Sequence, residues 1–124
     1  MQQEVRVLIV EDEKDIRESL SELLEAEGFV VSQAENGRLA LDSLTEVHVL
    51  PHVILLDLMM PIMDGEQFRR DQLADQRLAR IPIVIMSAAR DLAEVGERMQ
   101  AFAVLKKPMS IDLLVEKLRE AATT

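Results

Sequence analysis

Val53-Ile54-Leu55-Leu56 is an unbroken apolar run that stops on Asp57, and no other feature constrains the fold of this chain as tightly. A strand with one wet face alternates apolar and polar residues, whereas an unbroken run belongs to a strand covered on both sides. Leu8-Ile9-Val10 and Ile83-Val84-Ile85-Met86 repeat the pattern. Strands of this kind are typical of parallel sheets, whose crossovers are usually helices lying on the two faces.

Strands are expected over residues 5–10, 29–34, 53–57, 83–87 and 102–105. Between them, Ile16, Leu20, Leu23 and Leu24 share a helical face that should end at Gly28, a good left-handed terminator. Leu39, Leu41, Leu44 and Val47 mark a second helix from near Asn36, and further helices are expected over 65–78, 91–99 and 110–121. Ser110 ahead of Ile111, Leu114, Val115 and Leu118 is a cap followed by an apolar stripe. Five such alternations in 124 residues imply an α/β fold with an open, doubly wound parallel sheet. The length suits one domain over 1–124, and the last helix runs nearly to Thr124, so no tether to an effector domain is expected.

The charge balance narrows the partners. Fourteen basic residues against twenty-three acidic ones leave −9, with a pI near 4.7, which opposes direct binding to nucleic acid or to an anionic membrane. There is no cysteine, so disulfides, thiolate metal sites and a cysteine nucleophile are excluded. No apolar run approaches the ~20 residues of a spanning helix, and a cytoplasmic protein is the plain expectation.

In open parallel sheets, ligands sit beyond the carboxyl ends of the strands, where the strand order reverses. The residues placed there are Glu11, Asp12 and Glu13 after the first strand, Asp57 after the third, Ser87 after the fourth, and Lys106, Lys107 and Pro108 after the fifth. Clustered carboxylates repel one another unless a cation binds or a proton is taken up. A few carboxylates completed by water suit a hard cation such as magnesium. Glu13 and Asp15 are read more simply as first-turn charges favoured by the helix dipole. His48 and His52 are loop residues, because Pro51 between them breaks any shared helical face. Of the methionines, Met59, Met60, Met63, Met86, Met99 and Met109 fall between two roles, core filler and adaptable contact surface, with core packing preferred.

Taken in order, Leu8-Ile9-Val10-Glu11-Asp12, Leu55-Leu56-Asp57-Leu58-Met59-Met60-Pro61 with Met63-Asp64-Gly65, Ile85-Met86-Ser87-Ala88 and Lys107-Pro108 resemble the receiver domain of two-component response regulators, over essentially the whole chain. The resemblance implies a flavodoxin-like sheet of order 2-1-3-4-5. It implies that Asp57 accepts a phosphoryl group from a phosphohistidine on a sensor histidine kinase or a histidine phosphotransfer protein. It further implies magnesium held by Asp12, Asp57 and the carbonyl of Met59, with Glu11 acting through water. Ser87 takes the family's hydroxyl position and Lys107 its lysine position. By alternation along the extended segment, Lys106 points away from Lys107. The chain would then be a stoichiometric phosphoacceptor that promotes its own phosphorylation and dephosphorylation, not an enzyme acting on a separate substrate.

Rival readings account for the same rim less well. A hydrolase with an aspartyl nucleophile would place a second Asp two residues after Asp57, where this chain has Met59. A flavin module needs a phosphate cradle where Glu11-Asp12-Glu13 would repel phosphate. The serious alternative is a pseudo-receiver, an interaction module that keeps the fold without phosphorylation. The chain also departs from the family pattern. Receivers commonly carry an aromatic residue three positions before the lysine, whereas here Val104 stands there, stiff at χ1. The stretch from Ser87 to Lys107 is about two residues shorter than the family's, so the fourth helix should be short or irregular, and phosphorylation should alter residues 91–102. Phe102 is the nearest aromatic, and core packing is its simplest reading.

Overall fold

Alternation along each buried strand sends one set of side chains to each face of a single sheet, and the two sets become two cores. A computed structural model describes residues 4–58, 64–88 and 90–123. Its elements run β1 (Arg6–Val10), α1 (Lys14–Ala26), β2 (Val30–Ala34), α2 (Gly37–Glu46), β3 (Val53–Asp57), α3 (Gly65–Ala74), β4 (Ile83–Ser87), α4 (Leu92–Arg98), β5 (Ala103–Lys106) and α5 (Ile111–Ala122). All strand pairs are parallel, in the order β2-β1-β3-β4-β5. The flavodoxin-like arrangement implied by the motifs is therefore present, including the short fourth helix.

Leu8, Val10, Ile54, Leu56, Ile83 and Ile85 pack with Ala40, Leu44 and Phe68 from α2 and α3, and with Leu92 and Val95 from α4. Val7, Ile9, Val53, Leu55, Val84, Met86 and Leu105 face the other way, against Leu24 of α1 and Leu114, Leu118 and Ala121 of α5. Each fully buried Leu or Ile contributes about 1.5–3 kcal/mol of transfer free energy, so both faces help to hold the sheet. Edge strand β2 is less covered, with Val30 42 % exposed.

The helix ends follow local chemistry. The Asn36, Asp64 and Ser110 side chains accept hydrogen bonds from Leu39, Gln67 and Leu113 N–H and cap α2, α3 and α5. Gly28, at φ +96°, ends α1, with Gly28 N–H donating to Glu25 O and Phe29 N–H to Leu24 O. Across this turn, Arg119 of α5 donates to Glu27 O and lies 4.5 Å above the Phe29 ring. Arg119→Ala is expected to lower stability by about 1 kcal/mol through the loss of both contacts. A denaturant titration should show a lower midpoint with an unchanged slope.

Three expectations need correction. Helix α3 ends at Ala74, not near residue 78, because Asp75 turns extended and Leu78 is buried from a separate turn. Leu23, Leu39 and Val47 are 47 %, 43 % and 37 % exposed, so of the expected stripes on α1 and α2 only Leu24 and Leu44 are fully buried, with Ala40 beside them. Phe102 is 39 % exposed and lies outside the core, since β5 begins one residue later. Met86 and Met99 are core residues and Met109 is half-buried, whereas Met59, Met60 and Met63 lie outside the described residues. His52 lies in the loop before β3 as expected, where its Nδ1 accepts a hydrogen bond from Arg6 N–H at 2.9 Å.

Candidate functional site

Strand order reverses between β2 and β3 on either side of β1, so the carboxyl ends of β1 and β3 open a crevice at the centre of the sheet. Glu11 and Asp12 follow β1, and Asp57 closes β3. Glu11 is 1 % exposed and Asp57 5 %, while Asp12 is the more open to solvent. One carboxylate oxygen from each lies within 4.8 Å of the others. Ser87, buried at the end of β4, and Lys107, just past β5, complete the rim. Lys107 Nζ is 3.5 Å from Asp57 Oδ2 and 3.8 Å from Glu11 Oε2.

Several local bonds hold this rim in place. Glu11 N–H donates to Ala34 O, Lys107 N–H donates to Ser87 O at 2.9 Å, and Ser87 pairs in register with Lys106. Lys106 is exposed, and Lys107 turns inward as strand alternation requires. On the far side of Asp57, Gly65 N–H donates to Leu58 O at 3.1 Å, and a Cβ at Gly65 would lie 2.9 Å from Leu58 Cα. Only glycine lets α3 begin this close to the strand end.

Three carboxylates facing one ammonium leave the crevice negative. Burial, the Asp57 hydrogen bond and the Asp57 charge push Glu11 up to about 8, against the opposing pull of Lys107. Glu11 Oε2 is buried with no hydrogen-bond partner. A buried acceptor without a donor is costly, and a hard cation or a cation-bound water would satisfy it. The donor set is all oxygen, which suits magnesium and excludes a thiolate-preferring metal.

Asp12, Asp57, Glu11, Ser87 and Lys107 thus all lie at one rim, whereas Met59 lies outside the described residues. Arg17 was not foreseen. Its Nη1 donates to Glu11 O at 2.8 Å and its Nε to Gln33 Oε1 at 3.1 Å, steadying the main chain that carries the acidic pair. An arginine among the acidic residues of α1 gave no sign of that bond, because its acceptor is a main-chain carbonyl. A concavity of 540 Å³ lined by Ile16, Leu20, Met86, Ala88, Lys107, Pro108 and Met109 opens beside the rim.

Comparison with known proteins agrees with this fold. The family model described as response regulator receiver domain matches residues 7–119. The transcriptional regulatory protein PdtaR of Mycobacterium tuberculosis is 37 % identical over 119 residues, covering 95 % of this chain and 57 % of PdtaR. Sporulation initiation phosphotransferase F of Bacillus subtilis is 32 % identical over 116 residues, covering 93 % of this chain and 91 % of that protein. The chain spans 23 % of the regulatory protein AtoC of Escherichia coli, so some relatives are much longer. Among solved structures, the chemotaxis response regulator CheY4 of Vibrio cholerae superposes with a TM-score of 0.85 at 26 % identity, covering 96 % of this chain and 99 % of CheY4.

Proposed function

The chain belongs to the response regulator receiver domain family, and from that membership we propose that it takes a phosphoryl group from a phosphohistidine onto Asp57 and acts as a switch or shuttle in a two-component phosphorelay. The observation that carries the reading is the approach of Lys107 Nζ to Asp57 Oδ2 at 3.5 Å, inside a crevice that also holds Asp12, Glu11 and Ser87.

In this reading an Asp57 carboxylate oxygen attacks phosphorus, the bond from phosphorus to the histidine nitrogen breaks, and the imidazole leaves with the electron pair. Such a transfer depends chiefly on positioning and on neutralising the equatorial oxygens. Asp12, Asp57 and the Met59 carbonyl would hold magnesium directly, and Glu11 through water. When bound, magnesium supplies charge to the transferring phosphoryl oxygens. Lys107 adds a point charge on a mobile stem, and Ser87 donates a hydrogen bond once the acyl phosphate has formed. The phosphodonor is a sensor histidine kinase or a histidine phosphotransfer protein. Cytoplasmic action fits the acidic surface and the absence, among the described residues, of any helix long and apolar enough to cross a membrane. A pseudo-receiver role is not favoured, because Asp12, Asp57, Ser87 and Lys107 are all retained and gathered at one rim.

Incubation with acetyl phosphate and magnesium, followed by peptide mass mapping, should place one phosphoryl group on Asp57. Modification elsewhere, or none, would overturn the assignment. Lys107→Ala should slow this labelling about tenfold or more, as removal of a preorganised charge does. Lys106→Ala, on the exposed side of β5, should change it less than about twofold. Equal effects would show that the position beside Asp57 confers no advantage.

A further inference from the structure

Arg69 is 6 % exposed on α3, and its guanidinium is met by oxygen dipoles instead of a carboxylate. Nε donates to Met99 O at 2.9 Å, Nη2 to Gln100 O at 3.0 Å, and Nη1 to Gln72 Oε1 at 2.8 Å. Met99 and Gln100 form the C-terminal end of α4, where the last carbonyls carry partial negative charge. Burying a cation is expensive, and this one spends its donors on the end of a neighbouring helix.

The same end is fixed in three further ways. Gln100 N–H donates to Glu97 O and Ala101 N–H to Gly96 O, with Gln100 in the left-handed region at φ 56°. Gly96 lies so close to β5 that a Cβ there would come within 2.4 Å of Val104 Cγ1. Arg98 pairs with Glu66 of α3. The other end of α4 is held differently. Asp91 makes no side-chain capping bond, and the attachment there comes from Leu92 and Val95 in the core. Helix α3 is itself pinned to the main chain after Asp57 by Gly65, so it is a rigid link from the acidic crevice to the Arg69 clamp.

We propose that Arg69 is a positioning residue that clamps the C-terminal end of α4 to α3, so that α4 opens from its N-terminal end about a pivot at Met99 and Gln100. The moving end is then the one that follows Ser87, and the fixed end is the one joined through α3 to Asp57. What the pivot contributes to signalling rests on Asp57 being the phosphoacceptor; the pivot itself is a property of the unphosphorylated protein.

Amide hydrogen exchange on the full chain, without magnesium or phosphodonor, tests it. Val95, whose N–H donates to Asp91 O, should exchange about tenfold faster than Met99 and Ala101, a local opening distinct from global unfolding. Arg69→Met should raise exchange at Met99 and Ala101 until that difference disappears, and Arg69→Lys should restore part of it. A merely structural arginine would raise exchange at β3 and β4 by the same factor and leave the ratio within α4 unchanged. Equal exchange at the two ends of wild-type α4, or faster exchange at Met99, would overturn the proposal even if no Arg69 variant folds. Failure of Asp57 labelling in the separate phosphodonor experiment would leave this result standing.

Discussion

Asp57→Asn should reduce phosphoryl uptake to background and, in the same protein, raise the melting temperature of the metal-free form. The first effect follows from chemistry. In the proposed reaction a carboxylate oxygen of Asp57 is the nucleophile, and the amide that replaces it cannot form the acyl phosphate. The second effect follows from the crevice. Glu11 is held up near 8 by burial and by the hydrogen bond and charge of Asp57. Replacing that charge with a neutral amide lets Glu11 ionise against Lys107 with only the more open Asp12 carboxylate nearby. A gain of about 1 kcal/mol, or about 4 °C in a domain of this size, is the expected scale. Undiminished labelling of Asp57→Asn would remove Asp57 from the mechanism. Lost labelling with a lowered melting temperature would show that Asp57 also holds the fold, contrary to the electrostatic account.

What the sequence revealed, and what it concealed, has a physical pattern. Strands β1, β3 and β4 were legible because a strand covered on both faces has little choice but an unbroken apolar run. The acidic pair, Asp57, Ser87 and Lys107 were legible because parallel topology brings all carboxyl ends to one rim, so position along the chain already gives position in space. Leu78 misled because no glycine or proline between Gly65 and Leu78 marks an earlier stop. The chain turns at Asp75 instead, and the Gln72 amide ties down Leu78 O at 3.0 Å and Ile81 O at 2.9 Å. Phe102 misled because it adjoins an apolar strand, yet its N–H joins the sheet through Ile83 O while its ring stays largely outside the core. Arg17 and Arg69 gave no local signal at all. Both act on main-chain carbonyls outside their own helices, and main-chain acceptors look the same at every residue. Val104 was legible as a departure from the family but not as a fit, since its close packing depends on Gly96 eight positions earlier.

Magnesium should stabilise the wild-type protein, and more strongly near pH 8 than near pH 5.5. The Glu11 carboxyl titrates near 4.5 when unfolded and near 8 in the metal-free fold. Between those values the folded state holds a proton that the unfolded state has released, so stability is fully present below about pH 4.5 and is lost as pH rises toward 8. A dication in the crevice replaces that proton as the source of neutralising charge, so its benefit grows as the proton leaves. At ten times the dissociation constant the gain is about 1.4 kcal/mol, readable as a shift of several degrees in melting temperature. Asp12→Ala should abolish most of this shift at both pH values, because it removes the carboxylate most open to an entering ion. Calcium at equal concentration tests the size of the site, since magnesium demands shorter bonds and tighter octahedral geometry. A magnesium shift that is larger at pH 5.5, or one that survives Asp12→Ala, would place the stabilising ion outside the crevice and leave the buried Glu11 oxygen to a water or a proton alone.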